Sequence, residues 1–503
     1  MAYSRPGVYI SERLLPPVLA GGVTANAAGA VVAAFAQGPE AVTLVNSWYE
    51  FTKYFGGYNA SFPATFQVGS YFANGGRELY VKRILASNAD AAAVNLVTSG
   101  SSTVATVTAK NAGADGNNLR VVVTDGSVEG TYTLTVYKES GVVDDISDDI
   151  LLERYENIVF DDSASSDFAE TVVNTVSTTI EISGSNEGVP VSTTYPLTGG
   201  SNGDFVVDTD YTNYKGNEVS VFEDFSPLDR PLVIFLPDVG YLWWDEYDAV
   251  GIIDAATSWA ASNNSFVVVE TYKDQTVANA ISFAGSLTDI SNAAVYYPHL
   301  WIADPLGRGA GALRKIGPSG AVAGLYMTTD ATRGVFKAPA GITATIAGVV
   351  AVEKTFTSAE LDSMNSSTSP VNPLRQIPGA GLSVMGARTL KQDGTANKYV
   401  NMRRSLNYIR KQLKNNTEFA IFENNDEALW ARIRSALTVF LTEYKNQGGL
   451  RGTTNAQAFF VKCDAENNTT TSIANGEVHI QVGVALQYPS EFIVIDLSQK
   501  TIN

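Results

Sequence analysis

The sequence predicts a multidomain chain of α/β and β class, and three patterns carry that reading. Continuous apolar runs at 232–236, 266–269 and 294–297 are separated by helical patterns near 248–261 and 276–288. Strands without polar alternation, spaced by helices, belong to a parallel sheet covered on both faces. From 87 to 200 the pattern changes to alternating Val and Thr, the mark of antiparallel strands with one buried face. The third pattern is a pair of amphipathic helices between 399 and 447. At 503 residues the chain is several times an ordinary domain of about 100 to 200 residues, so three or four folded units are expected.

Taken in order, residues 1–22 hold Pro6, Pro16, Pro17 and the Gly21-Gly22 pair, which bar a helix. They read as an extended arm with a short alternating stretch at Val8 and Ile10. Residues 23–86 read as a compact mixed unit, with a strand at 30–35, helices near 47–55 and 64–73, and a strand at 79–84. Asn74-Gly75-Gly76 stops the second helix. Residues 87–200 form a β-rich acidic insertion with strands at 102–109, 119–124 and 131–137, broken by Asp125-Gly126. The polar stretch 198–203 closes it as a linker, and the α/β unit fills residues 201–386.

Residues 387–488 carry the helix pair. Tyr399, Met402, Leu406, Ile409 and Leu413 recur at helical spacing, with Arg403, Arg404, Arg410, Lys411 and Lys414 on the flank and opposite side. A second helix is expected to start at Asn424, which makes a capping-box spacing with Glu427. Its apolar positions are Leu429, Ile433, Ala436, Leu437, Phe440 and Tyr444, and strands are expected at 457–463 and 477–485. Residues 489–503 then leave through Pro489 into an alternating strand at Phe492, Ile493, Val494, Ile495 and Leu497.

Charge and composition exclude several functions. The formal charge is −18, which opposes non-specific binding to phosphate backbones, so no direct nucleic-acid partner is expected. The charge is uneven: residues 387–462 carry 13 basic against 6 acidic side chains, residues 87–200 only 4 against 17. No run approaches the roughly 18 apolar residues of a membrane span, so no stable membrane insertion is expected. Arg5 is followed by Pro6-Gly7 with no basic region leading into an apolar run, so no cleaved leader is expected and assembly in the cytoplasm fits. One cysteine, Cys463, rules out an intrachain disulfide, and two histidines leave no ordinary zinc set. No metal and no cofactor are expected.

Several blocks together resemble the phage contractile tail sheath family. They are RPGVYISE at 5–12, FANGGRELYVKR at 72–83 and IGPSGAVAGLYMTTDATRGVFKAPAG at 316–341. NPLRQIPGAGLSVMGARTL at 372–390, FENNDEALWARIRSALTVFLTEYKNQGGLRG at 422–452 and YPSEFIVIDLSQ at 488–499 follow in order. The resemblance implies a mixed α+β core built from the N- and C-terminal pieces near a tail tube. A subtilisin-like α/β domain lies outside it, a variable β-rich domain further out, and extended arms at both ends. It implies hexameric rings stacked helically around the tube in a metastable state that contracts to drive the tube through a host envelope. The implied partners are other copies of the chain, the tail tube protein, and baseplate and tail-terminator or neck proteins, within a virion tail. Pro6, Gly7, Val8, Tyr9 and Ile10, with Phe492, Ile493, Val494, Ile495 and Leu497, would be the intersubunit arms. Arg403, Arg404, Arg410, Lys411, Lys414, Arg434 and Lys445 would face an acidic tube wall. The sheath of an R-type bacteriocin or extracellular contractile injection system would read alike.

A subtilisin-like domain invites a hydrolase reading, since His299, Asp304 and Ser319 supply the residue types of a catalytic triad. Asp304 precedes a proline, Ser319 lies in a Gly-Pro-Ser-Gly turn where serine commonly bonds the backbone, and no G-x-S-x-G elbow exists, so no enzyme activity is expected. Alternation puts His479 on the face opposite Val478 and Ile480, a solvated or interface position. The run Gly307-Arg308-Gly309-Ala310-Gly311 lacks the spacing of a nucleotide fingerprint and reads as a loop at a subunit contact. Asp144-Asp145 and Asp148-Asp149 read as solvated acidic surface, and Cys463 as a small buried hydrophobe. Trp243, Trp244 and Tyr247 fit either an interface anchor or the core of the α/β unit.

Overall fold

The computed structural model describes residues 27–139, 149–184, 188–204, 206–213, 219–240, 248–307, 309, 311–366, 368–391 and 396–491. The expected arm residues Pro6 to Ile10 and Phe492 to Leu497 lie outside these, as do Asp144, Asp145, Asp148, Trp243, Trp244, Tyr247, Arg308 and Ala310.

The apolar runs build an eight-stranded sheet in the order Gly381–Val384, Val371–Ile377, Ala293–Tyr297, Phe266–Glu270, Leu232–Phe235, Ala28–Ala34, Leu79–Ile84 and Thr43–Val45. The inner neighbours pair in parallel, and one antiparallel strand closes each end. On one face Ala30, Val32, Ile234, Val267 and Val295 pack with helices Ala249–Ser262 and Val277–Ser286. On the other, Val31, Ala33, Phe235, Val268 and Tyr296 pack with helices Trp48–Phe55, Ala64–Ala73 and Ser319–Arg333. Both faces being dry, these strands have no polar period. Helices Ala64–Ala73 and Ser319–Arg333 approach closely at Gly320 and Gly324: a Cβ at either would come within 2.3 Å of the Gln67 or Tyr71 carbonyl oxygen.

This topology corrects the expected core of N- and C-terminal pieces. Residues 27–86 belong to the α/β sheet, where Ala28–Ala34 lies between Leu79–Ile84 and Leu232–Phe235. The reason is the strand itself. AGAVVAA is buried almost throughout and needs cover on both faces, which the half-exposed C-terminal sheet does not offer.

The acidic insertion leaves after Leu79–Ile84. It folds as a three-stranded sheet (Ala93–Val97, Thr103–Ala109, Ile180–Ser183) and a four-stranded one (Thr194–Pro196, Leu119–Asp125, Tyr132–Lys138, Ile150–Ile158), both antiparallel. They share a core that includes Leu96, Val107, Val121, Leu134 and Phe160. The stretch expected as a linker is pinned to the base of this domain, with Thr198 bridging Ala93 and Ser201 bridging Asp90. Buried Arg83 ties the base to the α/β unit, its guanidinium donating to the carbonyls of Phe35 at 2.9 Å, Gly38 at 2.9 Å and Ala112 at 2.8 Å.

At the C-terminal end helices Val400–Thr417 and Glu427–Asn446 pack together, followed by a two-stranded antiparallel sheet of Phe459–Lys462 and Gln481–Val484. The second helix is capped by Asp426, not Asn424: its carboxylate accepts from Leu429 N at 2.8 Å. Asn425 braces the same helix start, accepting from Trp430 Nε1 and donating to the Glu477 carbonyl. The expected strand at 477–485 shortens because Asn468 Oδ1 accepts from His479 N and Asn467 Nδ2 donates to His479 O, taking the groups a ladder would use.

The helix Val400–Thr417 also joins this domain to the α/β unit. Arg404 and Asp330 form a fully buried fork, with Arg404 Nη1 2.8 Å from Asp330 Oδ1 and Nη2 on Oδ2. Asn407 Nδ2 donates to the Ser265 carbonyl at 3.1 Å and Asn401 Nδ2 to that of Phe336 at 3.0 Å.

At the carboxyl ends of the parallel strands lies a second buried polar group. Glu270 Oε1 accepts from Gln67 Nε2 at 2.8 Å and Oε2 from Ser319 N at 3.0 Å, so one carboxyl joins a strand to both glycine-packed helices. Asp238, beyond strand Leu232–Phe235, accepts from Ala34 N at 2.7 Å. Burial pushes both carboxyls up to about 7, and Asp238 adds to the rise at Glu270.

Two outcomes are expected. Arg404→Leu strands Asp330 as a buried charge and should cost about 3 to 5 kcal/mol in denaturant unfolding, whereas Arg404→Leu with Asp330→Leu should recover most of it. Because Asp238 and Glu270 titrate higher in the folded chain than in the unfolded one, their contribution is complete below about pH 4 and is lost as pH rises through about 7. Between pH 5.5 and 8 the loss should be about 2 kcal/mol per group. Unfolding curves across that range should show it, with a smaller fall in Glu270→Gln.

Candidate assembly surface

Among the described residues the three residue types of a triad do not form one hydrogen-bonded set. His299 is buried, with Nδ1 3.7 Å from Glu353 Oε2, and burial holds its ring at about 3, hence neutral. Asp304 is forked to Arg314 through two 3.0 Å bonds. Ser319 is buried at the start of its helix, and its hydroxyl donates to Gln67 Oε1 at 2.8 Å; it bonds this side chain where the turn suggested the backbone. Gly307, Gly309 and Gly311 lie between the antiparallel strands Leu300–Ala303 and Leu313–Ile316. Cys463 is buried beside Leu429, Trp430 and Ile433, and His479 is exposed with Nε2 3.0 Å from Glu477. Asp149, expected as solvated surface, is instead buried against Arg120 at 3.1 Å.

The C-terminal domain carries surfaces that lack cover among the described residues. Strands Phe459–Lys462 and Gln481–Val484 pair only with each other among the described residues, leaving an open edge on either side. A sheet of two strands is marginal until others join it. Phe460 is half exposed on it, and Leu450 bridges Leu486 just beyond its end. The turn between the two helices exposes Phe419, Ile421 and Phe422, with Phe422 wholly in solvent at φ 65°. The Arg432 guanidinium lies 5.0 Å from the Phe419 ring. Left-handed backbone at an exposed aromatic is costly, and such strain concentrates at working surfaces. In sequence Phe422 was only the first letter of a motif.

The basic residues expected to face a tube divide into three groups. Arg404 is corrected outright: it is buried on Asp330, because it shares a helix face with Val400 and Tyr408, four residues away on either side. Lys411 and Lys414 both hold Asp229, at 2.8 and 2.9 Å, and Arg434 and Lys445 bind the Cys463 carbonyl and Asn455 Oδ1 within their own domain. Arg403 and Arg410 remain without a carboxylate partner among the described residues; Arg403 donates to Asn397 Oδ1 at 2.6 Å and Arg410 is exposed. Burial, then the nearby Arg410 charge, holds the Arg403 guanidinium below its ordinary value.

Comparison with known proteins bears on these surfaces. Residues 392–500 match the family model of the phage tail sheath C-terminal domain. The tail sheath protein of Vibrio phage KVP40 is 27% identical over 179 residues, 35% of this chain and 26% of that protein, so the match spans about a quarter of the relative's length. Among solved structures, the contracted sheath of the PVC extracellular contractile injection system is 21% identical, with 99% of each chain covered and a TM-score of 0.57. The contracted helical sheath of the anti-feeding prophage is 20% identical, with 99% and 100% covered and a TM-score of 0.58. The sheath tail protein of Listeria innocua is 13% identical, with 92% and 95% covered and a TM-score of 0.61. The whole chain therefore has the fold of these proteins, and its residues 392–500 belong to the phage tail sheath C-terminal domain family.

Proposed function

We propose that the chain is the structural subunit of a contractile sheath, polymerising around a tail tube in an extended state and collapsing to drive the tube through a host envelope. The observation that carries this is the open-edged two-stranded sheet within the domain that matches the tail sheath family. Segments 4–10 and 492–497 of neighbouring copies are proposed to add strands to those edges, as exposed ladders invite. The copies would form stacked hexameric rings, with baseplate and neck proteins at the ends. The energy of collapse comes from the closer packing of subunits on one another, so a barrier preserves the extended form. The α/β unit, proposed to be subtilisin-like in topology, acts as a frame without catalysis, in keeping with Asp304 and Ser319 bonding Arg314 and Gln67 in place of His299. Arg403 and Arg410, with the Phe419–Phe422 turn nearby in sequence, are the proposed tube contact. Sheaths of extracellular contractile injection systems share the fold end to end, so the reading extends to such a particle. Capsid genes beside this one would mark a phage.

Sedimentation of purified full-length protein tests the proposal. Deleting residues 1–20, or ending the chain after Glu491, should leave a folded monomer with an ordinary melting curve that forms no rods. Arg403→Glu with Arg410→Glu should form rods that no longer capture tubes at low salt. Rods of normal length from either truncation would refute the donated strands, and tube capture by the double variant would refute the tube contact.

A further inference from the structure

The last described residue before the C-terminal segment is held by an anchor on the α/β unit. Glu491 receives a fork from Arg388, with Nε to Oε1 and Nη2 to Oε2 both at 2.8 Å, and a third bond from Tyr399 OH at 3.3 Å. Both partners are themselves fixed. Arg388 and Tyr399 bridge through their backbones, and the Tyr399 ring meets that of Tyr488 edge to face at 6.4 Å. Arg388 Nη1 donates to the Asn365 carbonyl at 2.6 Å. Its backbone N–H and C=O are both bonded at 2.8 Å by the buried side chain of Asn372, which also donates to the Val295 carbonyl within the parallel sheet. A short unbroken series of bonds thus runs from Glu491 through Arg388 and Asn372 to strand Ala293–Tyr297.

Four residues earlier the chain belongs to the other domain. Gln487 Nε2 donates to the Leu450 carbonyl at 3.0 Å, and Leu486 bridges Leu450. Residues 487–491 therefore cross from the C-terminal domain to the α/β unit before the chain continues. Two parallel charge-assisted bonds fix direction as well as position, which a single lysine contact would not.

We propose that Arg388 and Tyr399 are positioning residues that, through Glu491, fix where the C-terminal segment leaves the subunit and pass to the α/β sheet the pull that a neighbouring copy exerts on it. This rests on the sheath reading above. The partner is a second copy of this chain, and the clamp sets the direction in which that copy is met.

The test uses the full chain carrying Glu491→Gln, Arg388→Gln, Arg388→Glu, or Arg388→Glu with Glu491→Arg. All should melt as the unmodified protein does, since the clamp sits at the edge of the fold. The single variants should need about tenfold more protein to form rods, the loss expected for a charge-assisted fork. Thermolysin should cut ahead of Phe492 several-fold faster in their monomers. The charge-swapped pair should recover both properties. Single variants that assemble and are cut like the unmodified protein would overturn the clamp, as would poor assembly that the swap does not relieve. If the unmodified protein forms no rods, the sheath reading fails, and the clamp is decided by the cleavage rates alone.

Discussion

A strand that is apolar on both faces must be covered on both, and Ala28–Ala34 imposes that requirement near the middle of the sheet. Its burial draws residues 27–86 into the α/β unit and sets Leu79–Ile84 on one side and Leu232–Phe235 on the other. The acidic domain then has one place to go. It must leave and re-enter between those two neighbours of the same central strand, so its base is fastened there by Arg83 and by the bridges at Thr198 and Ser201. The helix layers follow from the same condition: Gly320 and Gly324 let one helix lie directly on the Gln67 and Tyr71 backbone, which closes the second face.

Two kinds of polar contact operate on this frame, and they differ in what they permit. Inside, the Arg404–Asp330 fork and the Glu270 carboxyl are dry and fully bonded, so breaking either leaves a buried charge or an unmet donor. They fasten domains and helices permanently. Outside, the ladder edges are open and Phe422 is exposed, and Arg403 and Arg410 have no carboxylate partner, among the described residues. The division suits the proposed sheath subunit, in which the joints that hold the subunit together are interior and the contacts proposed to change are at the surface.

Much of this was legible in the sequence, and the rest was hidden for physical reasons. The helix 64–73 and strand 79–84 were read with the bounds they have, since Asn74-Gly75-Gly76 stops one and a short apolar run defines the other. The strands of the acidic domain showed because one face of each is buried. Strand order did not show, because parallel pairing is set by tertiary cover and leaves no local mark, so the place of residues 27–86 in the α/β sheet has no local signal. Arg404 was lost in a basic run, although its spacing from Val400 and Tyr408 held the clue to its burial. Asp330 lies 74 residues away, and nothing local announces such a partner. Two members of the buried polar cluster stand out in sequence, Ser319 in its Gly-Pro-Ser-Gly turn and the carboxyl of Glu270 at the end of a run of valines, but nothing local joins them.

The central claim is that copies of this chain join by completing one another's C-terminal sheets. Helical reconstruction of rods assembled from the full-length protein, by electron cryomicroscopy, tests it most directly. The account predicts that both outer edges, along Phe459–Lys462 and along Gln481–Val484, each carry a strand from another copy. Rods in which those edges are bare, or occupied by the subunit's own termini, would contradict it.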